Sequence, residues 1–112
     1  IFIQIVERIE MDIISGKYKP GDKLPSVRDL AAEAAVNPNT MQKAFTELER
    51  TGLVFSQRTT GRFITEDTSM IDELKSTLAK DKITELLSFM QQLGFQENEI
   101  LAMIGQTMKG EK

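Results

Sequence analysis

A mainly α-helical fold carrying one small β-hairpin is predicted by three observations. Apolar residues recur at helical spacing near residues 2–15, 30–35 and 41–48. The second and third runs are joined by the short polar link "NPNT". Two brief β-rich runs, "LVFS" and "RFIT", then follow with the Gly-containing loop "QRTTG" between them, the pattern of a hairpin.

In chain order, Phe2, Ile5, Val6, Ile9 and Ile13 form the stripe of a first helix that ends near Ser15 and Gly16. "KYKPGDKL" follows as a turn set by Pro20-Gly21. Ser26 stands three residues before Asp29, an acidic version of the capping box. Leu30, Ala31, Ala34 and Ala35 then predict a second helix of two to three turns ending near Ala35 or Val36. Asn37 supplies a side-chain oxygen to cap a third helix, and Pro38 suits its first position, where no N–H is needed. Met41, Ala44, Phe45 and Leu48 give that helix a core-facing i, i+3, i+4, i+7 stripe, and Gly52 ends it.

Three helices followed by a hairpin predict a winged helix-turn-helix. A helix that enters the major groove reads base edges with its N-terminal residues, so short polar side chains belong there and an apolar stripe belongs opposite. Asn39, Thr40, Gln42, Lys43 and Thr46 lie off the Met41/Ala44/Phe45/Leu48 stripe. Free backbone N–H groups at the helix mouth also favour a phosphate oxygen.

Composition excludes much else. The 112 residues suit one or two small units and fall short of a deep catalytic cleft. Cysteine and histidine are both absent, which removes disulfides, thiolate chemistry, the usual zinc sites and the commonest general base. No metal or other cofactor is implied. With no long apolar run and no leader pattern, a soluble cytoplasmic protein without a membrane segment is expected. The chain opens at Ile1 inside an apolar pattern, so native residues are expected to precede it. The net charge of −3 is unevenly spread: residues 1–66 carry nine Lys/Arg and nine Asp/Glu, residues 67–112 five and eight. This shift, centred on "TEDTS", predicts a boundary between a DNA-binding domain, 1–66, and a helical segment, 67–112.

"SGKYKPGDKLPSVRDLAAEAAVNPNTMQKAFTELERTGLV" followed by "TTGRFI" closely resembles the DNA-binding domain of GntR-family bacterial transcription regulators, over roughly residues 2–65. The resemblance rests on a pGd-LPS-R-LA core, an npnTv turn and a wing ending in a G-x-f-v segment. It implies binding of double-stranded operator DNA as a homodimer, with repression as the default mode. By the same resemblance Ser26 and Arg28 of "PSVRDLA" lie at the start of the second helix, where the family's arginine reaches DNA. Thr40 corresponds to the threonine heading the recognition helix. Gly61, with Arg58, Thr59, Thr60 and Arg62, corresponds to the wing that approaches the minor groove. Pro38 and Gln42 stand where some relatives carry arginine, so an operator sequence does not carry over.

The 46 residues after position 66 are too few for the large effector domain most such regulators append, and they resemble the YtrA-like subfamily, whose short helical segment serves dimerisation. Ile71, Leu74, Leu78, Ala79, Ile83, Leu86, Leu87, Met90 and Leu93 predict one helix, with a one-residue shift at "LAKDK" marking a bend. Gly94 caps it, and Ile100, Leu101, Ile104 and Met108 define a second. Two helices alone bury little, so their apolar faces are expected to pack on a symmetry mate or on the first domain, with Leu86, Met90 and Leu93 as dimer anchors and their burial within the protomer as the competing reading. No small-molecule effector is identifiable.

Each assignment has a plainer competitor. Arg28 pairs with Asp29 or Glu33 if it is only a surface charge, and Lys43 with Glu47 at i+4. For Asn37 capping is a sufficient explanation. The methionines read as packing residues. A small enzyme lacks any nucleophile–base set, phosphate loop or metal cluster. A winged-helix module that binds only protein suits the acidic total charge and is the main alternative.

Overall fold

The computed structural model of the chain describes residues 2–58 and 60–110, and its residues form two compact units, Ile1–Lys75 and Ser76–Lys112. The first contains α1 (Phe2–Ile14), α2 (Val27–Ala34), α3 (Pro38–Arg50), β1 (Val54–Gln57) and β2 (Gly61–Ile64). α4 (Thr68–Gln92) begins in the first unit and continues into the second, which also holds α5 (Glu97–Met108).

The first unit is organised around α3, against which both α1 and α2 pack. Met41, Ala44, Phe45 and Leu48, the stripe expected from spacing, are all buried, Phe45 completely. They meet Ile5, Val6, Ile9 and Ile13 of α1, Leu30 and Ala31 of α2, and Leu53, Val54 and Ile64 from the hairpin in one apolar core. Caps fix where the helices begin. The Ser26 hydroxyl accepts the Asp29 N–H at 3.1 Å, and Asn37 Oδ1 accepts the Asn39 N–H at 2.7 Å. α2 ends in a Schellman turn. The Val36 N–H donates to the Ala31 carbonyl at 3.0 Å and the Ala35 N–H to that of Ala32 at 3.2 Å, which places Ala35 at φ 57°. That left-handed residue, together with Asn37 and Pro38, makes the sharp link between the two helices.

β1 and β2 pair antiparallel with Ser56 opposite Arg62, one residue away from the runs read in the sequence. The segment "PGDKL", read as a turn alone, also serves as a third edge. The Gly21 N–H donates to the Ile64 carbonyl at 3.0 Å, the Ile64 N–H to Asp22 at 2.8 Å, and the Leu24 N–H to Arg62 at 2.8 Å. Both edges of β2 are thereby bonded, which stiffens a hairpin that would be marginal by itself.

The composition boundary at residues 66 and 67 falls one turn or more before the physical one. Ile71 and Leu74, on the first turns of α4, pack against the core of the first unit, so that unit runs to Lys75. The start of α4 is held by Asp67, whose Oδ1 accepts the Ser69 hydroxyl, the Ser69 N–H at 3.1 Å and the Met70 N–H at 3.3 Å. The Ser69 side-chain bond, followed by the Met70 backbone bond, lowers the Asp67 carboxyl from its ordinary value. Because the folded-state pKa is depressed, the contribution to stability is present above the ordinary aspartate pKa and is lost as pH falls through the lower folded value. Asp67→Ala is therefore expected to lower the melting temperature at pH 7. The difference from wild type should shrink steadily once pH drops below about 3.9, as followed by circular dichroism melts.

In the second unit the helical hydrogen bonding of α4 continues unbroken through "LAKDK". Gly94, at φ +95°, turns the chain, with the Phe95 N–H on the Met90 carbonyl at 3.1 Å. Glu99 then caps α5 by accepting the Gln96 N–H at 2.9 Å. Met90 and Ile100 are the buried side chains of this unit, whereas Ile83, Leu86, Phe89, Leu93 and Leu101 are exposed. Met90, expected as an interface anchor beside Leu86 and Leu93, is only 8% exposed and is covered within the chain itself.

Candidate nucleic-acid interface

The N-terminal turns of α3 present Asn39, Gln42, Lys43 and Thr46 to solvent, while Thr40 is half-buried. Two of these polar groups are partly committed. The Thr46 hydroxyl donates to the Gln42 carbonyl at 3.0 Å, and the Asn39 N–H is occupied by the Asn37 cap. Lys43 has no ion pair among the described residues, because Glu47 accepts from Arg50 at 2.7 Å instead. That bond holds the Glu47 carboxyl below the usual range. Arg28 is also exposed and unpaired among the described residues: Glu33 takes Lys17 at 3.4 Å, and Asp29 makes no salt bridge. The pairings that would have made Arg28 and Lys43 ordinary surface charges do not form.

An open groove of about 830 Å³ runs between the start of α2, the exposed side of α3 and the hairpin. Ser26, Arg28, Gln42, Thr60, Gly61 and Arg62 line it, so six of the residues singled out by sequence share one concavity. Asn39, Thr40 and Lys43 do not line it; Lys43 shares a shallower depression with Gln42 and Thr46. Arg58 is exposed near the hairpin tip, and Thr59 lies outside the described residues. The Thr60 hydroxyl donates to Gln57 Oε1 at 3.0 Å and closes the tip on itself.

Arg62, placed in the wing by sequence, is also tied to α3. Its Nε donates to Glu49 Oε1 of α3, and its guanidinium carbon sits 5.1 Å from the centroid of the Phe45 ring. It is therefore held by an ion pair and a cation–π contact from below, while remaining on the groove wall. Lys23, which sequence reading passed over, also lines the groove, and its side chain crosses the wing glycine. Gly61 adopts φ +114°, a backbone conformation that favours glycine, and a Cβ there would lie 3.0 Å from Lys23 Cε, the movable end of a flexible side chain. Its signal in the sequence was position alone: a cation three residues before the Ser26 cap becomes visible only once segment 21–24 is placed beside β2.

Among the described residues, no cluster of acidic side chains is arranged to hold a metal ion, and no helix is long and apolar enough to cross a membrane. The groove is open and carries the cations Lys23, Arg28 and Arg62 on its walls, suited to a charged polymer lying across it rather than to enclosure of a small molecule.

Residues 3–64 match the family described as "Bacterial regulatory proteins, gntR family". The HTH-type transcriptional repressor YtrA of Bacillus subtilis is 41% identical over 93 residues, covering 83% of this chain and 67% of that protein. A GntR-family transcriptional regulator from Listeria monocytogenes superposes with a TM-score of 0.86 at 40% identity, over 94% of this chain and 92% of the other. The AraR DNA-binding domain, solved in complex with operator ORR3, superposes with a TM-score of 0.54 at 31% identity, over 57% of this chain and 77% of that one.

Proposed function

The chain belongs to the GntR family of bacterial regulatory proteins, transcription regulators rather than enzymes, and from that membership we propose that it is a cytoplasmic repressor binding a two-fold operator as a homodimer. The observation that carries this reading is the groove in which unpaired Arg28, the N-terminal region of α3 and the wing converge. Arg28 and Lys43 contact phosphate or base edges, Asn39, Thr40 and Gln42 face bases in the major groove, and the wing residues Arg58, Thr59, Thr60 and Gly61 approach the minor groove. Operator binding by the AraR domain, and repression by the YtrA relative, support extending both to this chain. Residues 76–112 supply the dimer contact, through Leu86 and Leu93, which holds two recognition helices about 34–36 Å apart, one helical turn of DNA.

Selection from a randomised duplex pool, followed by titration of the enriched duplex at several salt concentrations, tests the proposal. Enrichment of a two-fold sequence and steep loss of affinity with salt are expected. A protein-only winged-helix module would show neither. Arg28→Ala is expected to weaken binding by at least about 1 kcal/mol without shifting the melting temperature, since Arg28 makes no ion pair among the described residues. Unchanged binding by a folded Arg28→Ala variant would remove Arg28 from the interface.

A further inference from the structure

We propose that Glu49 is a specificity-determining positioning residue: it locks the wing to the recognition helix and presents Arg62 to DNA in one fixed orientation. This rests on the DNA-binding reading above. Oε1 of Glu49 accepts from two donors, Ser56 Oγ at 3.0 Å and Arg62 Nε. These donors come from the two strands of the hairpin and stand opposite each other in its register. One carboxylate oxygen on the last turns of α3 thus gathers a cross-strand pair and sets the wing's angle to the helix.

The same contact selects how Arg62 is used. Its Nε is occupied and its guanidinium carbon lies 5.1 Å from the centroid of the Phe45 ring, which is completely buried. The Nη groups make no hydrogen bond among the described residues, and Arg62 lines the groove with Arg28 and Gln42. An arginine anchored by Nε and by its ring-facing side has lost its rotamer freedom on folding rather than on binding, and it offers its remaining donors as a fork. Glu49 carries an electrostatic cost, because a carboxylate beside phosphates repels them. Fixed geometry that discriminates between duplexes is what offsets that repulsion.

The test compares wild type, Glu49→Gln, Glu49→Ala, Arg62→Ala and the double variant Glu49→Ala/Arg62→Ala. Each is titrated with the duplex enriched by the wild-type protein and with a scrambled duplex of the same composition, at one salt concentration. Glu49→Ala should lower the ratio of enriched to scrambled affinity about tenfold, while scrambled binding stays equal or tightens. Glu49→Gln should retain most of the ratio, because its amide oxygen still accepts from Arg62 and Ser56. Arg62→Ala should lose the ratio to the same degree, and the double variant should be no worse than Arg62→Ala alone. A ratio that stays within about twofold of wild type in Glu49→Ala overturns the proposal, as does an equal weakening on both duplexes with a falling melting temperature, the mark of a purely structural residue. Should Glu49→Ala fail to fold, an unchanged ratio in Arg62→Ala overturns it equally. If the wild-type protein enriches no duplex, the DNA-binding reading itself falls, and this inference with it.

Discussion

Phe45→Ala is expected to lower the free energy of unfolding by about 3–5 kcal/mol, measured by urea denaturation. Phe45 is completely buried at the centre of the core, with α1, α2 and the hairpin closing over α3 around it. Removing the ring leaves a cavity that rigid neighbours fill only in part. It also takes away the surface on which the Arg62 guanidinium lies 5.1 Å from the ring centroid. A small domain is stable by only about 5–15 kcal/mol, so the variant should be partly unfolded at 37 °C. Thr40→Ala supplies the contrast. Thr40 is half-buried at the mouth of the same helix and makes no side-chain hydrogen bond among the described residues, so stability should be nearly unchanged while duplex binding falls. The opposite pattern would mean that α3 presents a different face to the core.

Leu86→Asp in the full chain is expected to convert a sedimenting dimer into a monomer, weakening association about a hundredfold or more. Leu86 on α4 and Leu93 just past its end are 44% and 59% exposed, with Phe89 at 57% between them, an apolar surface that solvent covers poorly. A carboxylate placed in such an interface must be desolvated, and two-fold symmetry puts it there twice. Discrimination between duplexes should fall with the dimer, since one half-site then has to suffice. Met90→Asp separates interface from core. Met90 is covered within the chain, so this variant should lose helical signal or melting temperature rather than yield a well-folded monomer. A wild-type protein that sediments as a monomer while still enriching a two-fold duplex would assign α4 and α5 another role.

The position of the cut matters for any shortened chain. A truncation at Glu66, where composition changes, strips Ile71 and Leu74 from the core and should destabilise the first unit. One at Lys75 keeps both. Charge counts mark where surface composition changes, whereas the limit of a folded unit depends on which apolar side chains reach the core, and a continuous helix can carry them past the compositional border.

The features legible in the residues alone are those governed by short-range rules. Helical periodicity, the Ser26 and Asn37 caps, the Pro38 start, the hairpin and the buried stripe of α3 depend on neighbours within about four positions, and the structure has each of them. The convergence of Ser26, Arg28, Gln42, Thr60, Gly61 and Arg62 on one groove was legible only through the resemblance to a known family, because spacing alone does not bring residue 28 beside residue 61. Which of two partners within helical reach wins was not legible at all. Glu47 has a cation on either side, Lys43 four residues before it and Arg50 three residues after, and the rotamers of the packed helix gave it to Arg50. Arg62 reads as a wing cation in sequence and becomes an anchored one because Glu49 and Phe45 lie on the adjoining turns of α3. Met90 looks like its neighbours Leu86 and Leu93 by period, yet only burial separates it from them. Sequence thus determined the elements, since hydrogen bonds and caps act locally, and tertiary structure decided which charges stay free and which apolar groups stay exposed, since those depend on contacts between residues distant in the chain.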